Sequence, residues 1–153
     1  MSNNDILRSL RYTFDFSDDQ MMQLFKLGGL EVSRAEVSDW LKREDDPEFK
    51  AIYDVDLAAL LNGLIIKKRG KREGEEPKPE KTLSNNIIFR KLKIALDMRD
   101  EDILEALASV DFKFGKHELS ALFRKPTQAQ YRPCKDQVLR NFLKGLQVKF
   151  RPG

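Results

Sequence analysis

The chain has 153 residues, 41% of them hydrophobic and 35% charged, with a net charge of +3 at neutral pH. That is enough for one ordinary domain or two small ones, and no stretch approaches the roughly eighteen apolar residues of a membrane helix. A single cysteine, Cys134, excludes an internal disulfide, and the opening MSNNDILRSLRY lacks the cationic start and apolar run of a secretory signal, so the expectation is a cytoplasmic protein that meets no membrane.

Residues 3–13 place Ile6, Leu7, Leu10 and Phe14 at the three-to-four spacing of an amphipathic helix. Ser2 stands where an N-cap belongs, with Asp5 at the capping-box position and Met1 placed to staple against Ile6. A second helix over 18–27 carries Met21, Met22, Leu24, Phe25 and Leu27, with Ser17 as cap, Gln20 at the box position and Phe16 against Met21. A third over 34–42 carries Val37, Trp40 and Leu41, capped by Ser33 with Glu36, and stapled by Val32 and Val37. A fourth, roughly 54–65, carries Leu57, Leu60, Leu61 and Leu64. Residues 70–82, GKREGEEPKPEKT, contain two glycines, two prolines, eight charges and no large apolar residue. Such a segment cannot bury enough surface to offset its ordering entropy and reads as a mobile linker.

Beyond the linker the same four segments return near 85–96, 100–109, 116–125 and 136–147. Shifted by 82 positions, Ser2, Asn3, Asn4, Ile6, Arg8 and Leu10 meet Ser84, Asn85, Asn86, Ile88, Arg90 and Leu92. Asp15, Asp18, Glu36, Ser38 and Asp54 meet Asp97, Asp100, Glu118, Ser120 and Asp136, and Gly63, Leu64, Lys67 and Arg69 meet Gly145, Leu146, Lys149 and Arg151. In the second copy Ser84 keeps its cap, with Leu83 and Ile88 as staple, while Ile87 loses the box. Gly115 replaces the third cap but keeps Glu118 and the pair Phe114 and Leu119. The expectation is an all-α chain of two similar four-helix modules, 1–69 and 83–153, possessing a linker over 70–82 and arranged side by side about a pseudo-two-fold axis. The twice-used Ser-Asn-Asn is read as a helix start rather than a ligand site.

Residues able to carry catalysis are few. The one histidine, His117, lies in the first turn of a basic helix, and one histidine with one cysteine gives no zinc set. Cys134 lies between Arg132 and Lys135, cations able to lower a thiol pKa. KLGGLE at 26–31 lacks phosphate-loop spacing, and REDDPE at 43–48 lacks the alternation of a calcium loop. No enzyme and no cofactor is expected.

Charge is more informative. Residues 1–70 hold 10 Lys and Arg against 13 Asp and Glu, whereas residues 83–153 hold 14 against 8. From Arg124 to Arg151 there are eight cations, Arg124, Lys125, Arg132, Lys135, Arg140, Lys144, Lys149 and Arg151, and one acid, Asp136. Arg140 and Lys144, four apart, share a helix face. Both copies carry Gly-Leu-x-[Ile/Val]-Lys-x-Arg, at 63–69 and 145–151. The glycine is read as closing the fourth helix, and Lys67 with Arg69, like Lys149 with Arg151, as facing one way along an extended segment. These cations form a candidate footprint for the phosphates of RNA or DNA. The competing reading is that basic residues near a helix end offset its dipole and keep a small domain soluble.

VSRAEVSDWLKR, residues 32–43, resembles the recognition-helix half of a repressor-type helix-turn-helix. That resemblance would turn Arg34, Ser38, Lys42 and Arg43, and in copy two Lys116, Ser120, Arg124 and Lys125, toward a DNA groove. Lys26 and GGLE depart from the pattern, copy two lacks the Ser cap and Trp, and Glu44, Asp45, Asp46 and Glu48 would repel DNA from copy one. At whole-chain scale the SNN[D/I]I openings, SDDQMMQLF and LNGLIIKKRG resemble the YehS-like family of small bacterial proteins built from a duplicated domain of unknown function. That resemblance implies a bacterial cytoplasmic protein and supplies no activity, cofactor or catalytic residue. The leading functional expectation is a non-enzymatic protein associated with RNA or DNA through the basic second module and the two Lys-x-Arg tails; the alternative is a protein–protein interaction adaptor.

Overall fold

In the computed structural model, which describes residues 1–71 and 78–152, the described residues form eight helices and no strand. They are α1 Asn3–Phe14, α2 Asp18–Leu27, α3 Arg34–Leu41, α4 Asp54–Arg69, α5 Asn85–Ala95, α6 Asp100–Ala108, α7 Lys116–Leu122 and α8 Asp136–Phe150. Helices α1–α4 and α5–α8 are the two four-helix modules. The local signals act as read: Ser2, Ser17 and Ser33 each accept from the amide three residues on, and Asp5, Gln20 and Glu36 accept from the cap amides in return. Ser84 caps α5 without a box, and Glu118 takes the Gly115 amide at 2.9 Å.

The fourth and eighth helices run further than their apolar pattern, to Arg69 and Phe150. Gly63 and Gly145 therefore lie inside helices, not at their ends. Their use is close approach. A Cβ on Gly63 would sit 1.7 Å from the Leu24 carbonyl oxygen, and one on Gly145 would sit 2.4 Å from the matching Ala106 oxygen. Each glycine lets the last helix of its module lie against the second. The expected extended Lys-x-Arg segment is helical throughout in module one, and in module two it is helical as far as Phe150, with Arg151 the extended C-cap. Residues two apart on a helix differ by about 200° in direction, so Lys67 and Arg69 do not face one way.

The modules share one contiguous apolar core. α4 packs along α5 of the other module, and α8 along α1. Both pairs are parallel, as the matched contacts at their ends show. At one end the Leu83 amide donates to Asp54 Oδ2 at 2.8 Å, and the Met1 amine donates to Asp136 Oδ2 at 2.9 Å. At the other, Arg69 pairs with Asp97 at 2.5 Å and Arg151 with Asp15 at 3.5 Å. Each contact becomes its counterpart under the 82-residue shift, as a pseudo-two-fold relation requires. Asp15 and Asp97 both have positive φ, 53° and 52°, so one repeated residue turns the chain after the first helix and receives the other module's arginine.

The two halves of the core distribute their aromatic volume differently. Module one packs Phe25 on Trp40, with centroids 5.3 Å apart, where module two has Leu107 and Leu122. Module two stacks Phe89 on Phe142 at 4.1 Å, where module one has Leu7 and Leu60. The mobile linker read over 70–82 falls partly outside the described residues, at 72–77; of its described part, Glu80 pairs with Lys91 at 2.9 Å.

Candidate functional site

The Ser-Asn-Asn openings are structural at all three positions. Asn3 donates to the Ile52 carbonyl at 3.2 Å and to Asp54 Oδ1 at 2.7 Å; Asn85 does the same to Cys134 and Asp136 at 3.0 and 2.7 Å. Asn4 is buried, donates to the Trp40 and Lys50 carbonyls at 2.9 Å each, and accepts from the Ile52 amide. Asn86 repeats this with Leu122, Arg132 and Cys134. These asparagines tie each α3-type helix and its following loop to the start of the module. In module two that loop, 123–135, carries four of the predicted cations.

Cys134 is an inner member of this clamp. The cations beside it in sequence do not activate it: burial pushes its thiol up to about 12. The sequence-based reading of a lowered pKa is thus reversed, because Arg132 and Lys135 are exposed while the sulfur is inside, its S–H directed to the Lys135 carbonyl at 3.7 Å. An Ellman's titration at pH 8 is expected to show no native-state reaction within minutes and one thiol per chain after denaturation. Rapid native labelling would contradict the burial.

The ten predicted cations separate into groups. Arg124, Lys125, Arg132 and Lys135 surround the loop between α7 and α8, all exposed. Arg140 and Lys144 lie on the outer face of α8, also exposed. At the matching positions of α4, Ala58 is buried and Asn62 accepts from Lys91 at 2.6 Å. None of these six enters an ion pair among the described residues. The acids of module two are mostly elsewhere: Asp100, Glu101, Asp102 and Glu105 are on α6, Asp97 is paired with Arg69, and Asp136 is held by Asn85 and Met1. The Asn85 hydrogen bond and the Met1 ammonium hold the Asp136 carboxyl below the usual carboxylate range.

Lys67, Arg69, Lys149 and Arg151 form a separate group at the C-terminal ends of α4 and α8. Nine residues beyond Arg140, Lys149 leaves α8 on about the opposite side. Its ammonium lies 5.8 Å from the Phe150 ring, itself packed on Phe14, over which Lys68 lies. Arg151 stacks on Tyr12 at 4.1 Å and donates to its carbonyl. Arg69 and Arg151 are therefore already employed in joining the modules. Sequence periodicity did not reveal this, because their partners belong to the other copy.

In module one the helix-turn-helix face is occupied by acids. Arg34 pairs with Asp18 at 3.6 Å and with Asp19, and Lys42 pairs with Asp39 at 2.7 Å and Glu48 at 3.0 Å. Those two bonds raise the Lys42 pKa above the ordinary lysine value. In module two Lys116, Arg124 and Lys125 are exposed and Ser120 is half-buried. Among the described residues no helix is long and apolar enough to cross a membrane, and no group of three or more His, Cys, Asp or Glu is placed to hold a metal ion.

The profile of the family described as "Protein of unknown function (DUF1456)" matches the chain twice, over residues 3–70 and 85–152. The chain is 38% identical over 150 residues to "Uncharacterized protein YehS" of Escherichia coli (strain K12), covering 97% of this chain and 96% of that protein. No solved structure matches.

Proposed function

We propose that this chain, which belongs to the DUF1456 family of proteins of unknown function and carries that family's domain twice, is a non-enzymatic cytoplasmic protein that binds RNA or DNA phosphates through module two. One observation carries the reading: Arg124, Lys125, Arg132, Lys135, Arg140 and Lys144 are exposed on one module and enter no ion pair among the described residues, while the acids of that module lie on other elements or are already paired. Cations that hold no carboxylate among the described residues are what a polyanion needs, since binding then releases its counterions and breaks no ion pair in the protein; Arg132 keeps its bonds to the Ala129 and Tyr131 carbonyls. Lys67 and Lys149 add to the field from the far end of α4 and α8. Arg69 and Arg151 contribute less, because binding would compete with their inter-module pairs.

The test is fluorescence anisotropy with a labelled RNA strand and a DNA duplex at 50 and 200 mM salt. Six phosphate contacts predict an affinity loss of about a thousandfold between those salts. Arg124→Gln/Lys125→Gln/Arg140→Gln/Lys144→Gln should abolish binding at 200 mM and leave the melting temperature within a few degrees. Absence of wild-type binding at 50 mM would reject the proposal in favour of a protein-binding adaptor, the reading the acidic first module and basic second module also support.

A further inference from the structure

Module two contains a cleft of about 400 Å³ between the segment that precedes α7 and the start of α8. Phe112, Phe114 and Val138 form its apolar walls, with Lys113, Arg132 and Lys135 along it. The two half-buried rings stack 5.9 Å apart with a 29° interplanar angle. One acid lines the cleft, Glu118, and its carboxylate is occupied by the Gly115 amide.

The duplication supplies an internal control. At the positions of Phe112, Lys113, Phe114, Ala121, Lys135 and Val138, module one has Leu30, Glu31, Val32, Asp39, Tyr53 and Asp56. The order of the four helices and the asparagine clamp are the same in both modules, so the architecture does not require these differences. Going from module one to module two, three carboxylates disappear, two ammonium groups arrive and two aromatic rings replace aliphatic side chains. Module one's Tyr53 ring gives way to Lys135, and its Trp40 to the cleft's Leu122, so the aromatic surface moves to the adjacent pair Phe112 and Phe114 while the charge turns positive, a combination that favours an anionic ligand with flat apolar groups.

We infer that this cleft is a stacking site for the bases of single-stranded nucleic acid. The inference rests on the phosphate-binding reading above and adds which form of nucleic acid is bound. In a duplex the base faces are hidden in the stack, and only phosphates could meet the cations. In a single strand bases and phosphates alternate, which matches an apolar aromatic cleft bordered by cations. The cleft's own cations are Lys113, Arg132 and Lys135; Lys144, nine residues beyond Lys135, leaves α8 on about the opposite side.

The test uses the full chain, a labelled 12-nucleotide single strand and a 12-base-pair duplex at equal salt. The variant is Phe112→Leu/Phe114→Val, which installs the residues module one already uses at the same positions and so keeps the fold. The wild type should bind the single strand at least tenfold more tightly than the duplex. The variant should lose about tenfold or more on the single strand, nothing on the duplex, and little in melting temperature. If the quadruple cation variant loses binding while the phenylalanine variant retains it, the stacking site is wrong and phosphate binding stands. If the wild type binds neither probe at 50 mM salt, both fail. Competition for the cleft by a peptide of residues 43–49, REDDPEF, with no response to nucleic acid, would overturn the inference in favour of a second copy of this chain as occupant.

Discussion

Replacing Gly63 with alanine is expected to cost about 3 kcal/mol or more, lowering the melting temperature by roughly 6–12 °C for a chain of this size. Helix propensity alone predicts the opposite sign, since alanine in a helix interior is favoured over glycine by about 1 kcal/mol. Packing decides against it. The new Cβ would lie 1.7 Å from the Leu24 carbonyl oxygen, 2.6 Å from its carbon and 3.2 Å from the Gly28 amide nitrogen. All three are backbone atoms, so no rotamer change relieves the clash and α2 must move away from α4. The same close approach is seen from the other side, since a Cβ on Gly28, the C-cap of α2, would lie 1.7 Å from the Ala59 carbonyl oxygen. Gly145→Ala should follow the same course more mildly, with its closest approach at 2.4 Å to the Ala106 oxygen. Thermal unfolding of the two variants checks both sign and order. A Gly63→Ala protein that melts higher than wild type would show that α2 and α4 do not cross this closely.

Gly63 also shows what the sequence revealed and what it hid. The apolar spacing that ends at Leu64 marks where α4 stops burying side chains, not where it stops being a helix. Its last turn is supported by packing on α5 of the other module and by the favourable placement of Lys67, Lys68 and Arg69 at the negative end of the dipole. Caps were legible because their partners are three residues away: Ser2 with Asp5, Ser17 with Gln20, Ser33 with Glu36. The duplication was legible because identical residues recur at one offset. Arg69 on Asp97 and Arg151 on Asp15 were not, since nothing local announces that a repeated cation will seek a repeated acid in the opposite copy. The charge asymmetry between the halves could be counted, but which cations remain free depends on pairings that exist only in the fold. The Phe112–Phe114 cleft was half legible: Phe114 was read as a hydrophobic staple for α7, while the convergence of Lys113, Arg132 and Lys135 on it needed the loop clamp of Asn86.

That clamp carries the second large effect. Asn4→Ala is expected to cost about 3 kcal/mol, because it leaves the Trp40 and Lys50 carbonyls and the Ile52 amide without their partner at a position only 2% exposed. Against a typical total of about 5–15 kcal/mol, this is a large fraction of the stability, measurable as a shift in the urea midpoint. Asn86→Ala should cost somewhat less, since Asn86 is 8% exposed and water can reach part of its site. Asn4→Asp separates the donor role from the acceptor role. The aspartate keeps an oxygen for the Ile52 amide but turns a carboxylate toward two carbonyls, which raises its folded pKa above the unfolded value. Protonation then binds more tightly to the folded state, so this variant should be least destabilised at acid pH and lose stability as pH rises through the folded pKa. Asn4→Ala should show no such dependence, and equal pH profiles for the two would mean that the side chain does not face those carbonyls. The matched pair also links stability to the proposed activity. Asn4 fixes a loop whose Lys42 and Lys50 are already paired with acids and which carries Glu44, Asp45, Asp46 and Glu48, whereas Asn86 fixes the loop that presents Arg124, Lys125 and Arg132. Measured where both variants remain folded, Asn86→Ala should therefore weaken nucleic-acid binding several-fold while Asn4→Ala leaves it unchanged, although Asn4→Ala is the more destabilised protein.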